Sequence, residues 1–241
     1  MSSGLDKWAV EIRGLRKNYG RIQALKGVEF SLKAGELVAF IGPNGAGKST
    51  TLKILTGQLP ATSGTVMVNG VDVLKDPGEA RKHIGYVPEE PVLYEYLSAR
   101  EFLEFIGAIR ESEDVDEALA FTELGADGER LIREYSQGMR RKTALAAAIL
   151  AKPPVLILDE ALNGLDPPSA ARVKGRLRAL CDAGACVLLS THVLDTAERL
   201  ADRVIVISQG EIVADEYLDR EKGTDLEALF LQRMDSGNNG E

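Results

Sequence analysis

Gly42-Pro43-Asn44-Gly45-Ala46-Gly47-Lys48-Ser49, with Thr50 behind it, is a stretch whose residue types and spacing can do chemistry. It fits G-x-x-x-x-G-K-[ST], a loop that cradles phosphate groups. Its three glycines let the backbone turn sharply, so that successive N–H groups point at phosphate oxygens, and a helix N-terminus behind it adds partial positive charge. Lys48 can reach β and γ phosphates, and the Ser49 hydroxyl can bind Mg²⁺. The competing reading is an ordinary glycine-rich turn. Both flanks speak for the phosphate loop: the apolar run Leu37–Ile41 leads in as a buried strand, and Leu52 and Leu55 follow at helical spacing.

Carboxylates suited to such a site stand at Asp159-Glu160, directly after the apolar residues 155–158. Asp159, at a strand end beside the phosphate-loop strand, is placed to hold Mg²⁺. Glu160 can polarise an attacking water as general base. His192 follows another apolar strand, residues 187–190, and a neutral imidazole there could bridge a γ phosphate, the water and Glu160. The other histidine, His83, lacks such placement and reads as a surface residue. Ser136-Gln137-Gly138-Met139 admits two readings, a simple helix cap or a second anion site at a helix N-terminus.

The 241 residues suit one large domain or two small interlocked ones, and a 44% hydrophobic share supports a sizeable core. A net charge of −8 argues against nucleic acid as a partner. No apolar run approaches a membrane span and no apolar signal core opens the chain, so a cytosolic protein is expected. Cys181 and Cys186 match neither a zinc nor a redox spacing and read as two buried structural thiols.

The elements that must position these groups fall into three stretches. Short alternating strands at residues 10–15, 28–32, 65–68 and 71–73, with Asn69-Gly70 as a hairpin turn, predict an antiparallel sheet beside the nucleotide core. Residues 97–150 turn helical: Ser98 and Glu101 form a capping box before Phe102, Phe105, Ile106 and Ile109, a face expected in the core, and further helices are expected at 116–124 and from Ser136 to the Pro153-Pro154 stop. After Pro154, strands alternate with helices at 169–183 and 194–202, which predicts a parallel sheet with helices on both faces. Residues 226–234 suggest a short terminal helix before a polar tail.

Taken together, the chain from about residue 10 to 234 resembles the ATP-binding subunit of an ABC transporter, nearest to the drug-exporting branch. Gly42 to Ser49 resembles the Walker A loop and Val155 to Glu160 the Walker B strand. Tyr135-Ser136-Gln137-Gly138-Met139 resembles the signature Leu-Ser-Gly-Gly-Gln, Leu165-Asp166 the D-loop, Thr191-His192 the H-switch, and Tyr19 the aromatic that stacks on adenine. The resemblance implies an α/β fold: a P-loop NTPase core with a mainly parallel sheet, an N-terminal antiparallel β subdomain and an inserted helical subdomain. Residues 1–220 would form the ATP-binding domain, with the helical part at about 90–152, and 221–241 a short helix and disordered tail. It also implies ATP and Mg²⁺ as cofactors and a head-to-tail pair of subunits, a homodimer by expectation. Each ATP would then lie between Gly42, Pro43, Asn44, Gly45, Ala46, Gly47, Lys48, Ser49 and Thr50 of one copy and the helix of Ser136, Gln137 and Gly138 of the other, with Asp166 also at the nucleotide. Two positions depart from the family pattern. Glu89 stands where a Gln is usual; it could ligate the metal, slow hydrolysis or alter coupling. The signature carries Gln137 and Met139 in place of Gly and Gln, while Ser136 and Gly138 are retained.

The function expected is ATP hydrolysis, with Glu160, His192 and Lys48 catalytic and Ser49, Asp159 and Glu89 at the metal. It would power transport, tilted toward export, by a separate permease on whose cytoplasmic face the subunit sits. The alternative is an ATP switch of the same fold that regulates a partner without transport.

Overall fold

Alternating apolar and polar residues build one sheet of this protein, and unbroken apolar runs build the other. The computed structural model describes residues 8–219 and 226–228. β1 (Val10–Tyr19) and β2 (Ile22–Leu32) form a long antiparallel hairpin, with Val10 opposite Leu32 and Ile12 opposite Phe30. Both strands run beyond the short segments read from the sequence. Alternation breaks at Gly14 because the register shifts between Ile12 and Leu15, and again further along, so the pairing continues where the pattern does not. β3 (Leu37–Ile41) and α1 (Lys48–Leu55) flank the phosphate loop, and β4 (Ser63–Val68) then returns to the other edge of β1. Asn69 and Gly70 both take positive φ and connect β4 to β5 (Val71–Asp72), as their dipeptide predicts.

The short α2 (Pro77–Lys82) escaped the sequence reading, although its start is written plainly: Asp76 accepts from the Glu79 N–H and Pro77 opens the first turn. β6 (Ile84–Val87) leads to the helical stretch, α3 (Ala99–Arg110), α4 (Val115–Thr122) and α5 (Gln137–Ile149). At α3 both bonds of the Ser98–Glu101 capping box are made. The remaining elements alternate: β7 (Val155–Asp159), α6 (Pro167–Asp182), β8 (Cys186–Ser190), α7 (Leu194–Leu200), β9 (Arg203–Ser208) and β10 (Glu211–Tyr217).

The second sheet has the order β10-β9-β3-β8-β7-β6, parallel except where β10 pairs antiparallel with β9. Residue parity divides its two faces. Val38, Phe40, Ile157, Leu188 and Ile205 pack with α1 and the antiparallel sheet. Ala39, Ile41, Leu158, Leu189 and Val206 pack with α5, α6 and α7. Helices lie on both faces, as expected, and on one of them α1 shares the cover with the antiparallel sheet. The expected apolar face of α3 is also corrected. Phe102 is buried, but Phe105 is 42% and Ile109 62% exposed, because α4 and α5 pack on the Leu103 side of the helix. His83 is not a free surface residue, since its Nδ1 lies 3.1 Å from Asn69 Nδ2 and the ring is half-buried. Of the expected terminal helix, residues 226–228 are helical and the remainder, with the tail, lies outside the described residues.

Cys181 and Cys186 are buried and free. Burial pushes the Cys181 thiol up from 9.0 to about 11 and raises Cys186 as well. A folded-state value above the unfolded one means that the neutral thiol adds stability below about pH 9, which is lost as pH rises through about 11. Neither cysteine should be alkylated in the native protein at pH 8, whereas both should react in denaturant; mass spectrometry of the labelled chain checks this, and rapid native labelling would contradict the buried placement.

Candidate active site

The phosphate loop is held by close contacts that only glycine permits. A Cβ on Gly42 would lie 2.2 Å from the Ile207 carbonyl oxygen, and one on Gly47, whose φ is +112°, would lie 2.7 Å from Leu25 Cδ2. The loop is also tied back to the sheet, since the Ala46 carbonyl accepts from the Gly210 N–H at 2.9 Å. Ala46 itself points into the core and its N–H donates to the Pro43 carbonyl. Gly47 caps α1 without any side-chain acceptor. The amides at the start of α1 therefore carry partial positive charge toward the loop, the arrangement that favours an anion. Lys48 Nζ donates to the Gly42 carbonyl at 2.6 Å and the Pro43 carbonyl at 3.2 Å. Burial lowers the Lys48 pKa, opposed by the carboxylates of Glu160, Asp159 and Glu89.

These carboxylates arrive from the next strands. β8 lies between β3 and β7, so their carboxyl ends converge. Asp159 sits opposite Ser190 in the β7–β8 register, and the Ser190 hydroxyl donates to Asp159 Oδ1 at 2.5 Å. The Glu160 N–H is directed at both the Ser190 hydroxyl (3.1 Å) and its carbonyl (3.2 Å). Glu160 takes a φ of +50°, a left-handed conformation that costs a non-glycine residue about 1–3 kcal/mol unless its surroundings hold it. They do. His192 Nδ1 lies 3.0 Å from Glu160 Oε1, Asn163 Nδ2 donates to Oε2 at 2.9 Å, and Arg141 donates to the Glu160 carbonyl at 2.6 Å.

Loop and carboxylates enclose a cavity of about 520 Å³. Gly42, Pro43, Asn44, Gly45, Gly47, Lys48, Ser49 and Thr50 line one side, and Glu89, Asp159, Glu160 and His192 the other. Ala24 of β2 completes the wall, and neither it nor Asn163 was read from the sequence. A small apolar residue mid-strand carries no chemical signal, and Asn163 gains meaning only once the turn after Glu160 folds it back. Tyr19, Ser136, Gln137, Gly138 and Asp166 are not brought to this cavity. Tyr19 is 48% exposed with Lys17 Nζ 5.1 Å from its ring centre. Ser136 caps α5 by accepting from the Met139 N–H, while Gly138 approaches the Gly164 carbonyl, which a Cβ there would meet at 3.5 Å. Asp166 caps α6, and hydrogen bonds from Ser169 hold its carboxyl below the usual range.

Among the described residues no group of three or more His, Cys, Asp or Glu side chains is arranged for a metal. That suits Mg²⁺ at a phosphate, which keeps waters and takes only one or two protein oxygens; Ser49 and Asp159 offer that donor set. The family model described as ABC transporter matches this sequence over residues 25–163. The chain belongs to the ABC transporter family.

It is 36% identical to the linearmycin resistance ATP-binding protein of Bacillus subtilis (strain 168), over 85% of this chain and 68% of that protein. It is 37% identical to a daunorubicin resistance ATP-binding protein of Streptomyces coeruleorubidus, over 89% and 70%. A solved ATP-binding subunit of an ABC transporter superposes with a TM-score of 0.87 at 33% identity, covering 94% of this chain and 99% of that one. A dimeric ATP-binding cassette in a post-hydrolysis state, with ADP and Pi bound, superposes at 0.79 with 27% identity, covering 87% and 99%. This ABC chain is accordingly an ATP-binding subunit and an ATPase that uses ATP with Mg²⁺. The expected fold, a parallel core with an antiparallel subdomain and helices, is the one found. Gly42→Ala should weaken ATP binding about tenfold or more, roughly 1.4 kcal/mol, by displacing the loop from Ile207; titration with a fluorescent ATP analogue measures it, and wild-type affinity would contradict the close contact.

Proposed function

We propose that this subunit hydrolyses ATP with Glu160 as general base. The observation that carries this reading is the fixing of both Glu160 carboxylate oxygens, by His192 and Asn163, on the wall facing the phosphate loop. Glu160 takes a proton from the attacking water, the new bond forms to the γ phosphorus, and the bond to the β-bridging oxygen breaks. His192 orients Glu160 and the water. Lys48 leaves its loop carbonyls to meet β and γ phosphate oxygens, and the amides of Gly42 to Thr50 cradle them. Mg²⁺ supplies charge neutralisation of the phosphates when bound, with Ser49, Asp159 and Glu89 disposed toward it.

Tyr19 stacks on the adenine, and its exposed ring is available for that. Ser136, Gln137, Gly138 and Asp166 act on the nucleotide of a second ATP-binding subunit, a homodimer in this reading. That accounts for a helix end capped by Ser136 standing away from its own chain's cavity. Among the described residues no helix is long and apolar enough to cross a membrane. A separate permease would supply the pore, with this subunit on its cytoplasmic face. The names of the resistance relatives favour export of a drug-like compound. The landing site for the permease is the aromatic surface of Tyr94, Tyr96 and Phe105, where Tyr94 and Phe105 meet edge to face at 5.3 Å.

Glu160→Gln should lose steady-state turnover by about 10²-fold or more while ATP binding persists and dimers accumulate; near-normal turnover would remove Glu160 as the base. Tyr96→Asp, at a side chain 77% exposed, should lose co-purification with a polytopic membrane protein while ATP turnover of the isolated subunit stays within about twofold. Wild-type recovery of the membrane partner would move the docking surface elsewhere.

A further inference from the structure

Arg141 is a buried cation, 5% exposed, and among the described residues no ion pair within salt-bridge distance holds its charge. Its guanidinium donates instead to two main-chain carbonyls. Nη1 donates to the Glu160 carbonyl at 2.6 Å and Nη2 to the Glu89 carbonyl at 2.8 Å. These carbonyls follow different strands, Glu160 after β7 and Glu89 after β6. Both residues also present carboxylates to the cavity. A planar fork with fixed donor directions sets the separation of its two acceptors, which a flexible ammonium does not. It also holds the carbonyl of the residue whose φ is +50°, so the left-handed turn that aims Glu160 is closed from the carbonyl side by Arg141 alone among the side chains bonded there.

The same helix touches that turn twice. Gln137, one turn before Arg141 on α5, packs on Gly164, where a Cβ would come 3.4 Å from Gln137 Oε1. Between these two contacts lies Asn163, whose amide holds Glu160 Oε2. α5 therefore borders the whole Glu160–Gly164 turn, with Ser136 at its exposed end and Arg141 at its buried contact.

We infer that Arg141 is a positioning residue: it locks the Glu89 and Glu160 backbones to α5 and so sets where the Glu160 carboxylate stands. This rests on Glu160 being the base. A displacement of about 1 Å at a reacting group costs on the order of 10²-fold in rate, so the effect of Arg141 falls on turnover and not on ATP capture, which the phosphate loop performs.

The test uses the full-length chain with Arg141→Met and the milder Arg141→Lys, each also combined with Glu160→Asp. The expected result is a kcat lowered by roughly 10- to 100-fold in Arg141→Met and less in Arg141→Lys, with KM and ATP affinity within about twofold. In the Glu160→Asp background, whose carboxylate is already displaced, Arg141→Met should cost less than about threefold more, because residues acting as a unit are non-additive. Unchanged kcat in both variants, or a loss that multiplies in full in the Glu160→Asp background, overturns the inference. So does a loss of ATP affinity as large as the loss of kcat, the result that a merely structural role gives; Arg141→Lys supplies this comparison should Arg141→Met fail to fold. The two readings fail separately: fast turnover of Glu160→Gln overturns the base itself, whereas an inactive Glu160→Gln beside a fully active Arg141→Met overturns only the positioning role.

Discussion

The parallel pairing of β8 with β3 on one side and β7 on the other is the constraint on which the site depends. Ser190 is the last residue of β8, opposite Phe40 in one register and Asp159 in the other. Its hydroxyl bonds to the Asp159 carboxylate, and its carbonyl and hydroxyl receive the Glu160 N–H. One buried serine thus aligns the strand that carries the carboxylates with the strand that feeds the phosphate loop. A one-residue slip of β7 would turn Asp159 to the opposite face and leave Ser190 unpaired in the core. Close packing resists that slip as well, since every residue of β3, β7 and β8 is buried and a flipped side chain would have to be repacked. Packing therefore enforces the register, and the register places the chemistry.

The charges around the loop balance in a way that prepares it for an anion. Lys48 is partly desolvated and donates to carbonyls of its own loop, which phosphate oxygens can replace with stronger, charge-assisted bonds. Asp159, Glu160 and Glu89 face it across the cavity and favour its charged form. Three carboxylates near a polyphosphate would repel it, so a divalent cation is the natural complement of this wall. Glu160 and Glu89 are held at their carbonyls by Arg141, which places both within reach of α5.

Much of this site was legible because its chemistry is written in short, ordered stretches. The phosphate loop could be read from eight residues and two flanks, and Asp159-Glu160 from an apolar run ending in two acids. Contacts that come from elsewhere in the fold were not legible. Ala24 enters the wall because β2 passes the loop, and Arg141 acts across the distance from α5 to β6 and β7, which no local pattern encodes. Periodicity misled in both directions. Strand alternation ended at Leu15 although β1 continues through bulges, and helical spacing assigned Phe105 and Ile109 to the core although α4 and α5 cover the neighbouring face. Periodicity states that a helix has an apolar side; which part of that side is covered depends on the neighbours.

We propose that one chain carries half of a hydrolytic site, with Ser136 at the end of α5 serving the nucleotide of another copy. The most direct measurement is ATPase activity per milligram across a range of protein concentrations, with dimer content followed by light scattering. Specific activity should rise with concentration in step with the dimer. A constant specific activity in a protein that remains monomeric throughout would contradict it.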